Sequence, residues 1–364
     1  MNSEIREARD RILTVEDLRF DSPELPVNLL QEFAAAHFAV TGRFESLLGE
    51  RDQNFCITSD DGRRYVLKVS GQGEPRGVVD FQVRALLHIE QKNADLPVPR
   101  LVPGTDGEYV QILRSGGGDH VVRLLTFLPG LPYDDGPAPS PAGLHRAGKF
   151  LARLALALHG FQHPSARDFM PWDICNGLIF NHQLQSMLPR PVLDLIRPAL
   201  ARLEGEVYPR LPSLRRQVIH HDGHGGNLLR ESAASEGIAG VIDFGDMIEA
   251  PLICDLAVAL ASFLLEQDDP QAVFVAICQA YDSVTPLTAD ETDLLLDLTI
   301  ARLILTFLLF RFRQATEENV PDYVITEQPA MIAVMEQLTS LDRTMFNTAL
   351  REACSSDQNP LNRI

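Results

Sequence analysis

The stretch 218–246, VIHHDGHGGNLLRESAASEGIAGVIDFGD, constrains this chain more than any other part of it. Val218-Ile219 is a short apolar strand that runs into a loop with three glycines, Gly223, Gly225 and Gly226. Leu228–Arg230 and 238–242 read as two strands paired around the polar turn 232–237. In a hairpin the residue before the first strand lies beside the residue after the second, which places Asn227 next to Asp243. Both offer oxygen atoms, and Mg2+ takes a carboxylate and a few neutral oxygens while substrate phosphates and waters complete its shell. Asp222 precedes Asn227 by five residues, near enough to receive the proton of an incoming hydroxyl without ligating the metal. Asp, Asn and Gly all favour turns, which explains each residue singly but not the combination.

His220 and His224 are four apart and invite a zinc reading. Such a pair needs a helix to put both rings on one face, and the three loop glycines oppose a helix. His220 is expected to be packed and to fix the loop.

The arrangement Asp222, Asn227 and Asp243-Phe244-Gly245 resembles the protein-kinase signature, a catalytic Asp followed by four residues and an Asn, then D-F-G. The likeness to the aminoglycoside phosphotransferase and choline kinase-like kinases is greater. Their H-x-D-x-x-x-x-N loop matches His220 to Asn227, and their I-D-F-G-D matches Ile242 to Asp246. Across LLTFLPGLPY and HGFQHPSARDFMPWD the chain is nearest to the hydroxylysine kinase type. The resemblance covers residues 27–345 and implies a bilobal, protein-kinase-like α+β fold, with a β-rich N-terminal lobe and a helical C-terminal lobe. It implies Asp222 as base, Asn227 and Asp243 as Mg2+ ligands, and Asp255 as a brace of the catalytic loop through backbone amides. The family often has Gly where His221 stands, so the ring is expected to crowd the loop.

No G-x-x-x-x-G-K-[ST] occurs, so the phosphate-binding lysine is expected on a strand. Lys68, within YVLKV, is that residue. Gly49 and the polar run Arg51 to Asn54 resemble a nucleotide-covering turn. Gln82 lies within the apolar stripe of the next helix and is expected as a neutral partner of Lys68, where protein kinases have a glutamate. Thr126 and Leu128 of TFLPG resemble the hinge that reads the base through its backbone. Backbone contacts do not choose between ATP and GTP.

Punctuation sets the organisation. Strands are expected at 54–58, 64–70, 109–113 and 121–127, with helices at 27–37 and 77–91. The proline- and glycine-rich LPGLPYDDGPAPSP, 128–141, cannot continue a strand or helix and marks a boundary. Helices are expected beyond it at 141–159, 191–208, 251–265, 271–281, 289–313 and 329–341. The expected division is a lead at 1–26, a nucleotide lobe at 27–127, a hinge and linker at 128–140 and a helical lobe at 141–364.

The net charge of −18 repels phosphate backbones and argues against a nucleic-acid partner. The most apolar stretch, 294–312, is interrupted by Asp297, Arg302 and Arg311, which favours a buried helix over a membrane span. Five scattered cysteines without C-x-x-C and an amino terminus without an apolar core point to a cytoplasmic protein. Asp134 and Asp135 follow the hinge, Asp246 and Glu249 follow the metal motif, and Trp172 is a further candidate for the cleft. Carboxylates beside aromatics suit an ammonium group, so the partner is expected to be a small, cationic, hydroxyl-bearing acceptor. A kinase-fold binding module without catalysis and a protein kinase are the alternatives. The first conflicts with the joint presence of Lys68, Asp222, Asn227 and Asp243, the second with the short space after Gly245.

Overall fold

Alternation along one strand fixes how the N-terminal half is layered. In this computed structural model, which describes residues 22–355, α1 (Val27–Phe38) leads into the hairpin strands β1 (Gly42–Leu47), β2 (Asp52–Ser59) and β3 (Arg64–Ser70). Then come α2 (Arg76–Lys92), β4 (Leu101–Val102), β5 (Gln111–Ser115) and β6 (Gly118–Thr126). The strands form one antiparallel sheet in the order β1-β2-β3-β6-β4, with β5 also paired to β6. On β3, Leu67 and Val69 are fully buried and pack with Leu30, Phe33 and Ala34 of α1. Successive strand side chains point to opposite faces. Lys68 therefore shares the other face with Val66, which packs against the core built by α2 and the helical half.

Of the expected lead, residues 1–21 lie outside the described residues. Leu25 is docked on β2, its N–H donating to Gln53 Oε1 (2.9 Å) and its carbonyl accepting from Gln53 Nε2 (3.0 Å).

The stretch 128–141 departs from expectation. It carries the two-residue strand β7 (Leu131–Pro132) and a 3-10 turn, Tyr133–Asp135. Leu131 and Pro132 are set opposite Arg230 and Leu229. A proline is tolerated at such an edge because no ladder donor is needed there. Next come α3 (Pro141–Leu158), capped by the Ser140 hydroxyl, α4 (Gly177–Leu184) and α5 (Arg190–Arg202). The helix expected over 191–208 ends at Arg202 and relaxes into a π turn, Leu203–Val207, and a 3-10 turn, Tyr208–Ser213, where Pro209 and Pro212 withhold the donors an α-helix needs.

The central island forms β8 (Arg216–Ile219), β9 (Leu228–Arg230), β10 (Ile238–Val241) and β11 (Ile248–Pro251). β9 and β10 are the expected hairpin. The helix expected from residue 251 starts at Ile253, because residues 248–251 pair with β8. The remainder is α6 (Ile253–Phe263), α7 (Pro270–Asp282), α8 (Ala289–Thr316), α9 (Tyr323–Thr326), α10 (Gln328–Ser340) and α11 (Arg343–Ser355). A reciprocal capping box, Thr288 with Glu291, starts α8. The charges that interrupt its apolar run are engaged: Asp297 by Arg202 and Arg343, Arg311 by Gln314, and Arg302 as described below. Among the described residues no helix is long and apolar enough to cross a membrane.

Candidate functional site

The catalytic-type loop is built between β8 and β9 and held from below by α6. Asp255, in the first turn of α6, accepts the N–H of His221 at 2.7 Å. His221 takes a left-handed φ of 63°, a conformation that costs a non-glycine residue about 1–2 kcal/mol. Its ring is fully buried, and neither nitrogen has a hydrogen-bond partner among the described residues. Burial pushes its pKa down to about 3. Burial likewise pushes Asp255 up to about 6, against the pull of the His221 and His220 amides. His220 packs edge-on to Phe244, with ring centroids 4.7 Å apart, and its Nδ1 accepts the Asp222 N–H at 3.3 Å.

The hairpin brings Asn227 and Asp243 together: the Ile242 N–H donates to the Asn227 carbonyl at 3.0 Å. Asn227 Nδ2 donates to Asp222 Oδ2 at 2.6 Å and to the Asp222 carbonyl at 3.0 Å, so the side-chain oxygen of Asn227 is turned away from Asp222. Asp243 holds a left-handed φ of 61°, and its carboxylate is 51% exposed. The hairpin thus sets two residues with hard oxygen donors at neighbouring strand ends, and a carboxylate with an amide oxygen is a donor set that fits Mg2+.

Around Asp222 the charges are balanced. His224 Nε2 lies 3.6 Å and Arg302 Nη2 3.7 Å from Asp222 Oδ1. Burial alone would raise the Asp222 pKa, but His224 and Arg302 hold it well below the usual carboxylate range. Burial opposes a charge on His224, yet the Asp222 and Asp134 carboxylates raise it to about 9. Sequence reasoning did not assign Arg302 to the site. Its only trace there is as one of the charges that interrupt the most apolar helix.

From the sheet, Lys68 Nζ reaches 3.4 Å from Asp243 Oδ1 and 3.4 Å from Asp52 Oδ2. The pairing expected with Gln82 is not formed. Gln82 Oε1 instead accepts from Arg123, whose guanidinium also contacts Ser70 Oγ and Asp52. Asp52 is the partner that reasoning missed, although it lay in the polar run thought to cover the nucleotide. Gly49 and Asn54 shape the turn before it: Asn54 Nδ2 donates to the Leu48 carbonyl at 3.1 Å, and a Cβ on Gly49 would lie 2.3 Å from that Nδ2. The same turn is tied to the helical half. Arg51 pairs with Asp246, and Glu50 accepts from Arg313 at 2.6 Å and from the Tyr323 hydroxyl at 2.7 Å. At the hinge-like segment, Thr126 N–H donates to Arg100 O, Thr126 Oγ1 accepts from Arg100 N–H, and Leu128 packs over Gly240.

The acidic residues expected to receive an ammonium are dispersed. Glu249 is held by a bidentate pair with Arg167, at 2.9 and 3.0 Å, so it is not the open carboxylate expected. Asp246 is engaged by Arg51, while burial raises its pKa to about 6. Asp134 packs on Gly225, and Asp135 is exposed on the 3-10 turn. Trp172 is buried beside Arg302, which donates to its carbonyl at 2.8 Å and lies 5.4 Å from its ring centroid. A cleft of roughly 860 Å3, walled by Arg51, Glu74, Phe81, Met170 and Gly245 among others, borders the motif.

The phosphotransferase enzyme family model matches residues 45–292. Hydroxylysine kinase from Danio rerio is 27% identical over 286 residues, covering 75% of this chain and 80% of that protein. Hydroxylysine kinase from Mus musculus is 26% identical, covering 71% and 74%. Among solved structures, an amicoumacin kinase in complex with AMP-PNP, Ca2+ and its ligand superposes with a TM-score of 0.65 at 15% identity, covering 95% of this chain and 99% of that one. A microcompartment-associated aminopropanol kinase gives 0.65 at 18% identity, covering 91% and 98%. These likenesses show the kinase-like α+β fold expected from the sequence. By a family match spanning well over half its length, the chain belongs to the phosphotransferase enzyme family and is a small-molecule kinase.

Proposed function

We propose that this enzyme moves the γ-phosphate of ATP or GTP onto a hydroxyl of a small amine-bearing metabolite, with hydroxylysine the leading acceptor. The observation that carries the assignment of roles is the asymmetry of Asp222. Its Oδ2 is held by Asn227, while Oδ1 faces His224 and Arg302 at distances beyond hydrogen bonding. Oδ1 is the atom that accepts the proton of the acceptor hydroxyl as the new P–O bond forms. Asn227 and Asp243 would hold Mg2+, which when bound neutralises charge on the phosphates. Lys68, directed at the same place from β3, steadies the nucleotide phosphates, and the backbone at Thr126 and Leu128 meets the base. The cleft falls in the size range of small-molecule sites.

A protein acceptor is disfavoured by one observation. Only Asp246 and Met247 separate Gly245 from β11, which leaves no segment to receive a peptide. The amine-bearing acceptor is supported by the curated relatives, which are hydroxylysine kinases. The test is Mg2+-dependent nucleotide turnover across hydroxy amino acids, amino alcohols, aminoglycosides and neutral polyols. Turnover stimulated by an amine-bearing acceptor is expected. Turnover stimulated best by a neutral polyol overturns the acceptor class, and no acceptor-dependent turnover overturns the activity.

A further inference from the structure

Arg302 presents unused hydrogen-bonding capacity where the acceptor must lie. It occupies the middle of α8, among fully buried Leu298, Ile300, Leu303 and Ile304, and is itself 7% exposed. Burying a guanidinium is costly unless its donors are met. One of them is: Nη1 donates to the Trp172 carbonyl at 2.8 Å. Among the described residues, Nε and Nη2 make no hydrogen bond. Nη2 faces Asp222 Oδ1 at 3.7 Å, too long for a bond. The Trp172 ring backs the guanidinium at 5.4 Å, which holds its plane without using a donor. A planar cation with an unfilled donor edge beside the proton-accepting carboxylate is a receptor for a second carboxylate, since the guanidinium fork matches that group bidentately.

We propose that Arg302 reads the carboxylate of the acceptor, so that the enzyme phosphorylates a hydroxy amino acid in preference to the corresponding amino alcohol. This rests on the phosphotransfer reading above and narrows it. The surrounding charge agrees with a zwitterion rather than a plain cation or anion. Asp246, though paired with Arg51, and Asp173 both act electrostatically on Arg302, so the field around the guanidinium is acidic and a carboxylate bound there is best accompanied by an ammonium on the same molecule. A plain anion would face those carboxylates without compensation, and a plain diamine would leave the Arg302 donors unmet. The carboxylate expected of the acceptor therefore supplies the partner that the fold withholds.

The experiment compares each acceptor with its decarboxylated counterpart: 5-hydroxylysine with 1,5-diaminopentan-2-ol, homoserine with 3-aminopropanol, and serine with ethanolamine. The wild-type enzyme is expected to favour the carboxylate-bearing member of its best pair. In Arg302→Met the KM for that member should rise by about 10- to 100-fold, the worth of a lost charged hydrogen bond, while the KM for its counterpart shifts far less. Arg302→Lys, which keeps the charge without the fork, should lie between. If the wild-type enzyme prefers the decarboxylated member, or if both variants change the two KM values equally, Arg302 merely steadies Asp222 and the inference is overturned with phosphotransfer intact. If no acceptor stimulates turnover, the phosphotransfer reading fails and takes the inference with it. The wild-type preference needs no variant, so a substitution that fails to fold leaves the first comparison decisive.

Discussion

Lys68 Nζ stands 3.4 Å from Oδ2 of Asp52, a carboxylate on the neighbouring strand. Protein kinases place the partner of this lysine on a helix. Here the neighbouring strand β2 supplies it. Asp52 also contacts Arg123, so one carboxylate restrains two cations in a nearly dry setting: the Asp52 side chain is 12% exposed and that of Arg123 4%. Burial would raise the Asp52 pKa, yet Arg123 and Lys68 hold it below the usual carboxylate range.

Replacing Asp52 and replacing Gln82 should therefore have different consequences. Asp52→Asn is expected to raise the nucleotide KM and lower turnover, because Lys68 loses the charge that orients it. Gln82→Leu is expected to cost about 1–3 kcal/mol of stability through the Arg123 donor it leaves unmet, with nucleotide KM little changed. Steady-state kinetics and urea melts of the two variants side by side decide the matter. A larger kinetic defect in Gln82→Leu would restore the helix residue as the partner.

Asp222→Ala should lower kcat by roughly 10²- to 10⁴-fold, the usual worth of a general base. Mg2+-nucleotide binding should persist, since Asp222 is not assigned to hold it. Calorimetric titration of the variant alongside single-turnover rates separates the two effects, and an undiminished kcat would remove Asp222 from the chemistry.

His221 predicts a feature of the acid limb of stability. Its folded-state pKa of about 3 lies below the ordinary value of 6.5. The unfolded chain therefore binds this proton first, and stability is full above pH 6.5 and lost as pH falls toward 3. His221→Gly removes the titrating ring and also frees the left-handed backbone. Its urea midpoint should fall less steeply than that of wild type between pH 6.5 and 4.5. Parallel slopes would show that the ring does not carry this proton.

The turn at Gly49 to Arg51 is predicted to control nucleotide release. Glu50→Ala breaks the contacts to Arg313 and Tyr323. The side chains are 37% exposed at Glu50 and 9% at Arg313. A tie of this kind is worth up to about 1 kcal/mol, so nucleotide should leave up to about fivefold faster. Stopped-flow displacement measures this directly. An unchanged off-rate would mean that the turn does not gate release.

What the sequence revealed followed the reach of local rules. Asn227 and Asp243 meet because two short strands and a turn leave no other geometry, and Lys68 faces inward because strand alternation has a fixed period. Gln82 was misread because an inward polar residue on a helix can bond in several directions, and only packing shows that Arg123 is closer. Glu249 looked like a cleft carboxylate because it follows the metal motif, yet β11 turns it toward Arg167. Arg302 stood out as a charge in an apolar helix. That it meets Asp222 depends on how α8 packs under the loop, which no local pattern encodes.

Gly225 imposes a rule on the heritable variation of this enzyme. A Cβ there would lie 1.7 Å from Asp134 Oδ1, and the Gly225 carbonyl accepts the Tyr133 N–H at 2.8 Å. The stretch between the lobes and the catalytic loop are therefore one mutational unit. A library that randomises only the catalytic loop will return glycine at 225 as long as the Asp134 side chain keeps its place, whereas position 134 can shrink with Gly225 unchanged. Larger residues at 225 will emerge most readily from libraries that vary 134 and 225 together, with a smaller residue at the first making room for a larger one at the second.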